Sequence, residues 1–231
     1  RVIVQRNRIR DAGYIGIRVF RDALVRDNEI VRVCQRLDDC GGIYTFARDR
    51  QPLHVNIENN RIRRLGGRST YAIYLDDFAN GVRVAGNELV DNPGGMQLHN
   101  GFDNEIAGNA FINSQRQHIL FNETADFRVI AGNRVLRNRF ASAGDVPVYR
   151  LWSHHGGAHV GRFAQFAGNR YRAASGNFAD VEGQGALDLG QWLAGFGSDD
   201  EAPARDQARA AQHSADGSAG AARRPAPQLP R

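Results

Sequence analysis

The sequence predicts an all-β chain wound as a solenoid of about seven stacked coils, closed by a small C-terminal cap. Three observations predict it: a recurring asparagine flanked by apolar residues, short alternating runs rich in β-branched residues, and no helical crossover between them. The tripeptide Ala-Gly-Asn stands at 85–87, 107–109, 131–133 and 167–169, and looser flanks extend the set to Asn7, Asn28, Asn60, Asn87, Asn109, Asn133 and Asn169. Three residues before these lie Val4, Val25, Ile57, Val84, Ile106, Ile130 and Phe166. Two residues after them lie Ile9, Ile30, Ile62, Leu89, Phe111, Val135 and Tyr171. Such short strands at a period of about 22 residues describe one turn of a β-solenoid.

Each element has a physical reason. The run Gly81-Val82-Arg83-Val84 alternates apolar with polar and breaks at Gly86-Asn87, so the strand is four or five residues long with a turn at the asparagine. A second alternating run follows in most repeats, at 17–20, 43–46, 72–75, 96–98 and 118–121. An inward amide is costly unless bonded, and stacked on identical neighbours it bonds along the column and to turn backbone. The seven asparagines are therefore read as fold, not site. Two repeats run long, with surplus residues expected around 38–52 and 141–161 as loops projecting from one face. The β-helix is expected over 1–173 and the cap over 174–200, with a short helix laying Leu189, Trp192 and Leu193 over the last coil. From 201 to 231 Ala, Arg, Pro, Gln and Ser dominate without aromatics, which reads as a disordered tail.

Composition removes several functions. All 30 basic residues are arginine, so chemistry that needs a lysine base or Schiff base is excluded. The net charge of +5 is spread among 25 acids, which argues against a nucleic-acid groove. No apolar run is long enough for a membrane-spanning helix. The chain begins at Arg1 without an initiator methionine, which reads as a fragment or processed product. Cys34 and Cys40 are equally compatible with a short-loop disulfide and with two packed thiols.

The lines Gly81-Val82-Arg83-Val84-Ala85-Gly86-Asn87-Glu88-Leu89 and Asp103-Asn104-Glu105-Ile106-Ala107-Gly108-Asn109-Ala110-Phe111 resemble repeats of right-handed parallel β-helix proteins of the pectate-lyase-like superfamily. The resemblance covers residues 1–173 and is specific for fold rather than for one reaction. It implies an exported protein, secreted or periplasmic, acting on or binding a polysaccharide or oligosaccharide. Tyr74-Leu75-Asp76-Asp77 followed by Asn80-Gly81 also resembles a recurrent line of carbohydrate-active β-helix proteins.

In the second run outward residues line up coil by coil. One column reads Arg18, Tyr44, Tyr74, Gln97, Leu120, and the next Phe20, Phe46, Asp76, His99, Asn122. The residues just after are Arg21, Ala47, Asp77, Asn100, Glu123. In this register Asp76, Asp77, His99 and Glu123 are the catalytic candidates, and Tyr44, Tyr74, Gln97, Asn100, Asn122 and Arg18 the substrate-binding ones. An Asp76 or Asp77 base with a Glu123 acid, two rungs or about 9–10 Å apart, suits inverting glycoside hydrolysis, with His99 relaying protons. Alternatively, a uronate lyase or epimerase would hold Ca²⁺ on the carboxylates while an arginine or His99 abstracts the proton. Turn chemistry alone also accounts for Asp76 and Asp77. The other class of function is a non-catalytic glycan-binding or adhesive surface scaffold. His154, His155 and His159 bring imidazoles together without a fourth ligand, so no metal site is expected there.

Overall fold

In each of the first five coils, three corner residues adopt the left-handed conformation, and they cut the coil into three short strands. At the first corner these are Arg6, Asp27, Asn59, Gly86, Gly108, Arg137 and Gly168; at the second, Asp11, Arg32, Arg64, Asp91 and Asn113; at the third, Asp22, His54, Gly81, Asp103 and Gly132. Their φ values lie between 51° and 65°, a region that glycine enters freely and Asn or Asp at modest cost. The computed structural model of the protein describes residues 1–172 and 176–201, and residues 1–200 form one unit. The expected tail lies outside the described residues from 202 onward, as do 174 and 175 of the expected cap.

The chain is a parallel β-helix with three faces. The first face stacks Val2–Gln5, Ala23–Arg26, Val55–Glu58, Val82–Ala85, Glu105–Ala107, Asn133–Leu136 and the start of Ala164–Arg172. The second face stacks Arg8–Arg10, Glu29–Val31, Arg61–Arg63, Glu88–Val90, Ala110–Ile112, Arg139–Ala141 and the end of Ala164–Arg172. The third stacks Ile17–Arg18, Cys40–Phe46, Thr70–Asp76, Gly94–His99, Ile119–Glu123, Tyr149–Ser153 and Ala179–Val181. Parallel register places like on like. Val25, Ile57, Val84, Ile106, Val135 and Phe166 form one buried column, and Ile30, Ile62, Leu89, Phe111, Phe140 and Tyr171 another.

The amide ladder joins every coil. Asn28 Oδ1 accepts from the Asn7 backbone N–H at 3.0 Å and from Asn7 Nδ2 at 2.9 Å, and Asn60 serves Asn28 in the same way. The pattern continues through Asn87 and Asn109. Each amide after Asn7 also donates to a carbonyl of the coil below, as Asn87 Nδ2 does to Ile57 O. Removing one buried member leaves donors unsatisfied, which costs about 1–3 kcal/mol.

One rung differs from the expected pattern. The ladder passes from Asn109 to Asn138 and then to Asn169, and Asn133 is not in it. Asn133 belongs to the third corner, where its Oδ1 accepts from the N–H and Nδ2 of Asn104. A left-handed glycine followed by asparagine suits either corner, so Ala131-Gly132-Asn133 marks a turn without saying which. In the ladder, Arg137 takes the left-handed position that glycine holds in Gly86 and Gly108. The flanking apolar pair is accordingly Val135 and Phe140 rather than Ile130 and Val135. The last two ladder spacings become 29 and 31 residues. The surplus is thus shared between residues 124–132 in one coil and 154–163 in the next, the latter containing the 3₁₀ turn Gly157–Arg162.

Cys34 and Cys40 are disulfide-bonded, which decides between the two readings of these residues. At the other end the parallel stacking runs past residue 173: Ala179–Val181 pairs with Tyr149–Leu151 and then antiparallel with Gly185–Leu187. The helix Leu189–Phe196 follows, its first turn closed by reciprocal bonds between Asp188 and Gln191. Trp192 is fully buried, stacked on Tyr149 and edge-on to Phe166, where it covers the last aromatic rung.

Candidate active site

The third face carries the chemistry because its strands end at residues that the following turn leaves on the outer wall. Parallel register sets Phe46 beside Asp76, and Gln97, Leu98 and His99 beside Leu120, Phe121 and Asn122, with Trp152 one coil further. One step past the paired Leu75 and Leu98, Asp76 meets His99. Asp76 Oδ1 lies 2.6 Å from His99 Nδ1, and Asp76 Oδ2 accepts from the Tyr44 hydroxyl at 2.5 Å. His99 Nε2 lies 2.6 Å from Thr124 Oγ1. Burial pushes the Asp76 carboxyl up, but the bonds from His99, Tyr44 and the Asp77 N–H outweigh it and hold the group below its ordinary value. Burial, reinforced by the same contact, raises the Tyr44 hydroxyl well above the usual tyrosine range, so it stays a donor.

Asp77 and Phe78 turn the chain with positive φ, and this brings Asp77 back toward the imidazole. Asp77 Oδ1 lies 3.6 Å from His99 Nδ1, while its Oδ2 accepts from Arg48 Nε at 2.8 Å. Arginines laid on aromatic rings flank the pair. Arg18 sits 5.2–5.6 Å from the rings of Phe20, Tyr44 and Phe46, and Arg48 sits 5.2 Å from Phe46. Arg50 lies 4.8 Å from Phe78 and 4.3 Å from Phe127, two rings that are themselves parallel at 6.0 Å.

The structure separates the expected site residues into two groups. Asp76, Asp77 and His99 come together on the wall, with Tyr44, Arg18 and Asn122 on the same face. Tyr74 and Gln97 are nearly buried, and the Gln97 amide donates to the Tyr74 hydroxyl at 3.4 Å. Asn100 is buried too: its Oδ1 accepts from the N–H groups of Thr124 and Ala125, and its Nδ2 donates to Thr124 Oγ1 at 3.1 Å.

Glu123 does not face the wall. Strand alternation turns it inward between Asn122 and Thr124, and it is fully buried. Its Oε2 accepts from Ser153 Oγ at 2.6 Å and lies 2.5 Å from His159 Nε2, while Oε1 accepts from the N–H groups of Val129 and Ile130. The acid proposed to stand opposite Asp76 is instead a clip between two insertion loops. Of the clustered histidines, His159 belongs to that clip and His155 Nε2 lies 3.0 Å from Ala125 O.

Thr124 and Phe127 escape sequence reading because they lie on the loop after the strand, outside the repeat. The only sequence signal is that Thr124 directly follows the third outward-reading column. The oxygens of Asp76 and Asp77 with His99 lie within 4.8 Å of one another. Ca²⁺ takes six to eight oxygen ligands, yet three of these four carboxylate oxygens are already bonded to Tyr44, His99 and Arg48. The set does not fit that ion. A shallow depression of about 420 Å³ on the first face, around Glu58, Arg83 and Arg137, lies away from these groups.

Residues 1–111 match the family of right-handed β-helix regions. No curated protein and no solved structure matches the chain. The strand order, the register of all three faces and the match over residues 1–111 agree: the described residues fold as a right-handed parallel β-helix.

Proposed function

We propose that the third face binds an acidic polysaccharide and that His99 removes the proton next to a uronate carboxylate, the step common to uronate lyases and epimerases. The observation that carries the reading is the Asp76–His99 bond. An ionised Asp76 accepts a hydrogen bond from Nδ1–H and so keeps the proton on that nitrogen, which leaves Nε2 to accept one. Arg18, Arg48 and Arg50 supply charge for carboxylates, and their aromatic supports supply faces for sugar rings. Asp76 orients the base, Tyr44 holds Asp76 in place, and Asn122 and Trp152 extend the wall on the next two coils. In elimination the C–H electrons form the new double bond as the glycosidic oxygen leaves, and the proton taken by His99 passes to that oxygen.

Hydrolysis by two opposed carboxylates is the weaker reading, since Glu123 faces the interior. The Cys34–Cys40 disulfide supports an oxidising, exported location.

The test is a panel of uronate polymers assayed for unsaturated ends and for solvent deuterium incorporated at the acidic carbon. His99→Ala and Asp76→Asn are expected to reduce either signal by about 10²–10⁴-fold. Full turnover in His99→Ala overturns the mechanism. Glycan binding with neither signal in the intact protein makes the fold a binding scaffold instead.

A further inference from the structure

We propose a second chemistry for this wall: hydrolysis of ester-linked acyl groups on a glycan, with Thr124 as nucleophile, His99 as its base and Asp76 as the residue that positions His99. The elimination above needs no hydroxyl on Nε2, so this inference goes beyond that reading. The geometry points to it directly. Carboxylate, imidazole and hydroxyl stand in series at 2.6 Å and 2.6 Å, the arrangement that activates a hydroxyl for acyl transfer.

The direction of the hydrogen bonds follows from the ends of the series. Asp76, held ionised by its partners, accepts a hydrogen bond from Nδ1–H, which leaves a lone pair on Nε2. The Thr124 O–H then donates to Nε2. The threonine methyl restricts χ1, and Asn100 fixes the rotamer by donating to Oγ1 while accepting from Thr124 N and Ala125 N. At the far end of the loop, Glu123 pins Val129 and Ile130. Thr124 is exposed between these two anchors. Among the described residues, the N–H groups of Asp126 and Phe127 are used by neither the sheets nor Asn100, so they are free to meet a developing oxyanion. Phe127, stacked on Phe78 in the same loop, offers an apolar surface to a small acyl group such as acetyl.

The reaction balances with water alone. Thr124 Oγ1 bonds to the acyl carbonyl carbon as its proton passes to His99. The ester C–O bond breaks, and the sugar oxygen leaves with that proton. Water then attacks the acyl-threonine, the carboxylic acid departs, and the hydroxyl is restored.

The full chain is assayed with p-nitrophenyl acetate and with an O-acetylated glycan, and trapped protein is analysed by peptide mass spectrometry. The intact protein is expected to release acetate and to carry one acetyl group on Thr124. Thr124→Val, of nearly the same shape, is expected to lose about 10²-fold or more of this activity, and Thr124→Ser to keep it within about tenfold. An unchanged urea midpoint for both variants separates chemistry from folding. The proposal is overturned if Thr124→Val cleaves ester at the intact rate, or if the intact protein cleaves neither ester. Elimination without ester cleavage sinks this inference and spares the uronate reading; ester cleavage without elimination does the reverse.

Discussion

Two carboxylate–imidazole pairs in this protein use the same groups at nearly the same separation, 2.6 Å for Asp76–His99 and 2.5 Å for Glu123–His159. They lie on opposite sides of one wall. Asp76 and His99 face outward, with an exposed hydroxyl on the second imidazole nitrogen. Glu123 faces inward, and every bond its oxygens make is to Ser153, His159 or a loop N–H. Burial pushes the Glu123 carboxyl up, yet those donors outweigh it and keep the group below its ordinary value, as at Asp76. What distinguishes the pairs is therefore not ionisation but access. The buried pair holds loops together, whereas the outward pair passes its second imidazole nitrogen to an exposed hydroxyl and can move a proton.

The comparison breaks most visibly at Glu123. Glu123→Gln leaves His159 without its partner and is expected to cost about 3–5 kcal/mol in urea unfolding, while the protein that remains folded keeps its turnover. A loss of turnover with unchanged stability would place Glu123 in the chemistry after all.

A third imidazole sharpens the contrast because it has no carboxylate. His118 lies buried between Ser114 Oγ at 2.9 Å and Ser142 Oγ at 2.7 Å, and burial pushes it down to about 4. Its folded value is below its unfolded one, so the unfolded chain binds the extra proton. Stability is then complete above about pH 6.5 and falls as the pH drops toward 4, by up to ~3 kcal/mol. The two depressed carboxylates act in the same direction, but only near and below their ordinary values of 3.8 and 4.5. Urea midpoints measured across this range should show the loss, and His118→Gln should flatten it. A flat profile in the unaltered protein would contradict the buried, neutral imidazole.

The smallest effect is expected far from both pairs. Reducing Cys34–Cys40 opens a loop of only six residues' separation and should lower stability by ~2 kcal/mol, with turnover retained. A larger loss under reductant would mean that the first coils, and not only the insertion, depend on the bond.

Much of the scaffold was legible from residues alone. Asn28, Asn60, Asn87, Asn109 and Asn169 were read as ladder members because a parallel stack repeats one environment at every rung, so one residue type recurs there. The sixth rung was misread because Gly132-Asn133 and Arg137-Asn138 fit the same local turn, and only the pairing of Val135 with Ile106 and Phe166 tells them apart. Strand alternation alone makes the adjacency of Asp76 and His99 legible, though not the burial of Tyr74 and Gln97 beside them. Glu123 was misplaced because it was aligned with residues that follow the strand, whereas Ile119–Glu123 continues straight through it and turns it inward.

Sequence by itself determined the coil: strand length, corner chemistry and the amide spine are local or periodic properties, written into neighbouring residues. Tertiary structure alone decided which hydroxyl reaches His99 and which histidine seals Glu123. Thr124 and His159 stand on insertion loops that repeat nothing, so their partners are set by how the chain closes in space and not by any spacing along it.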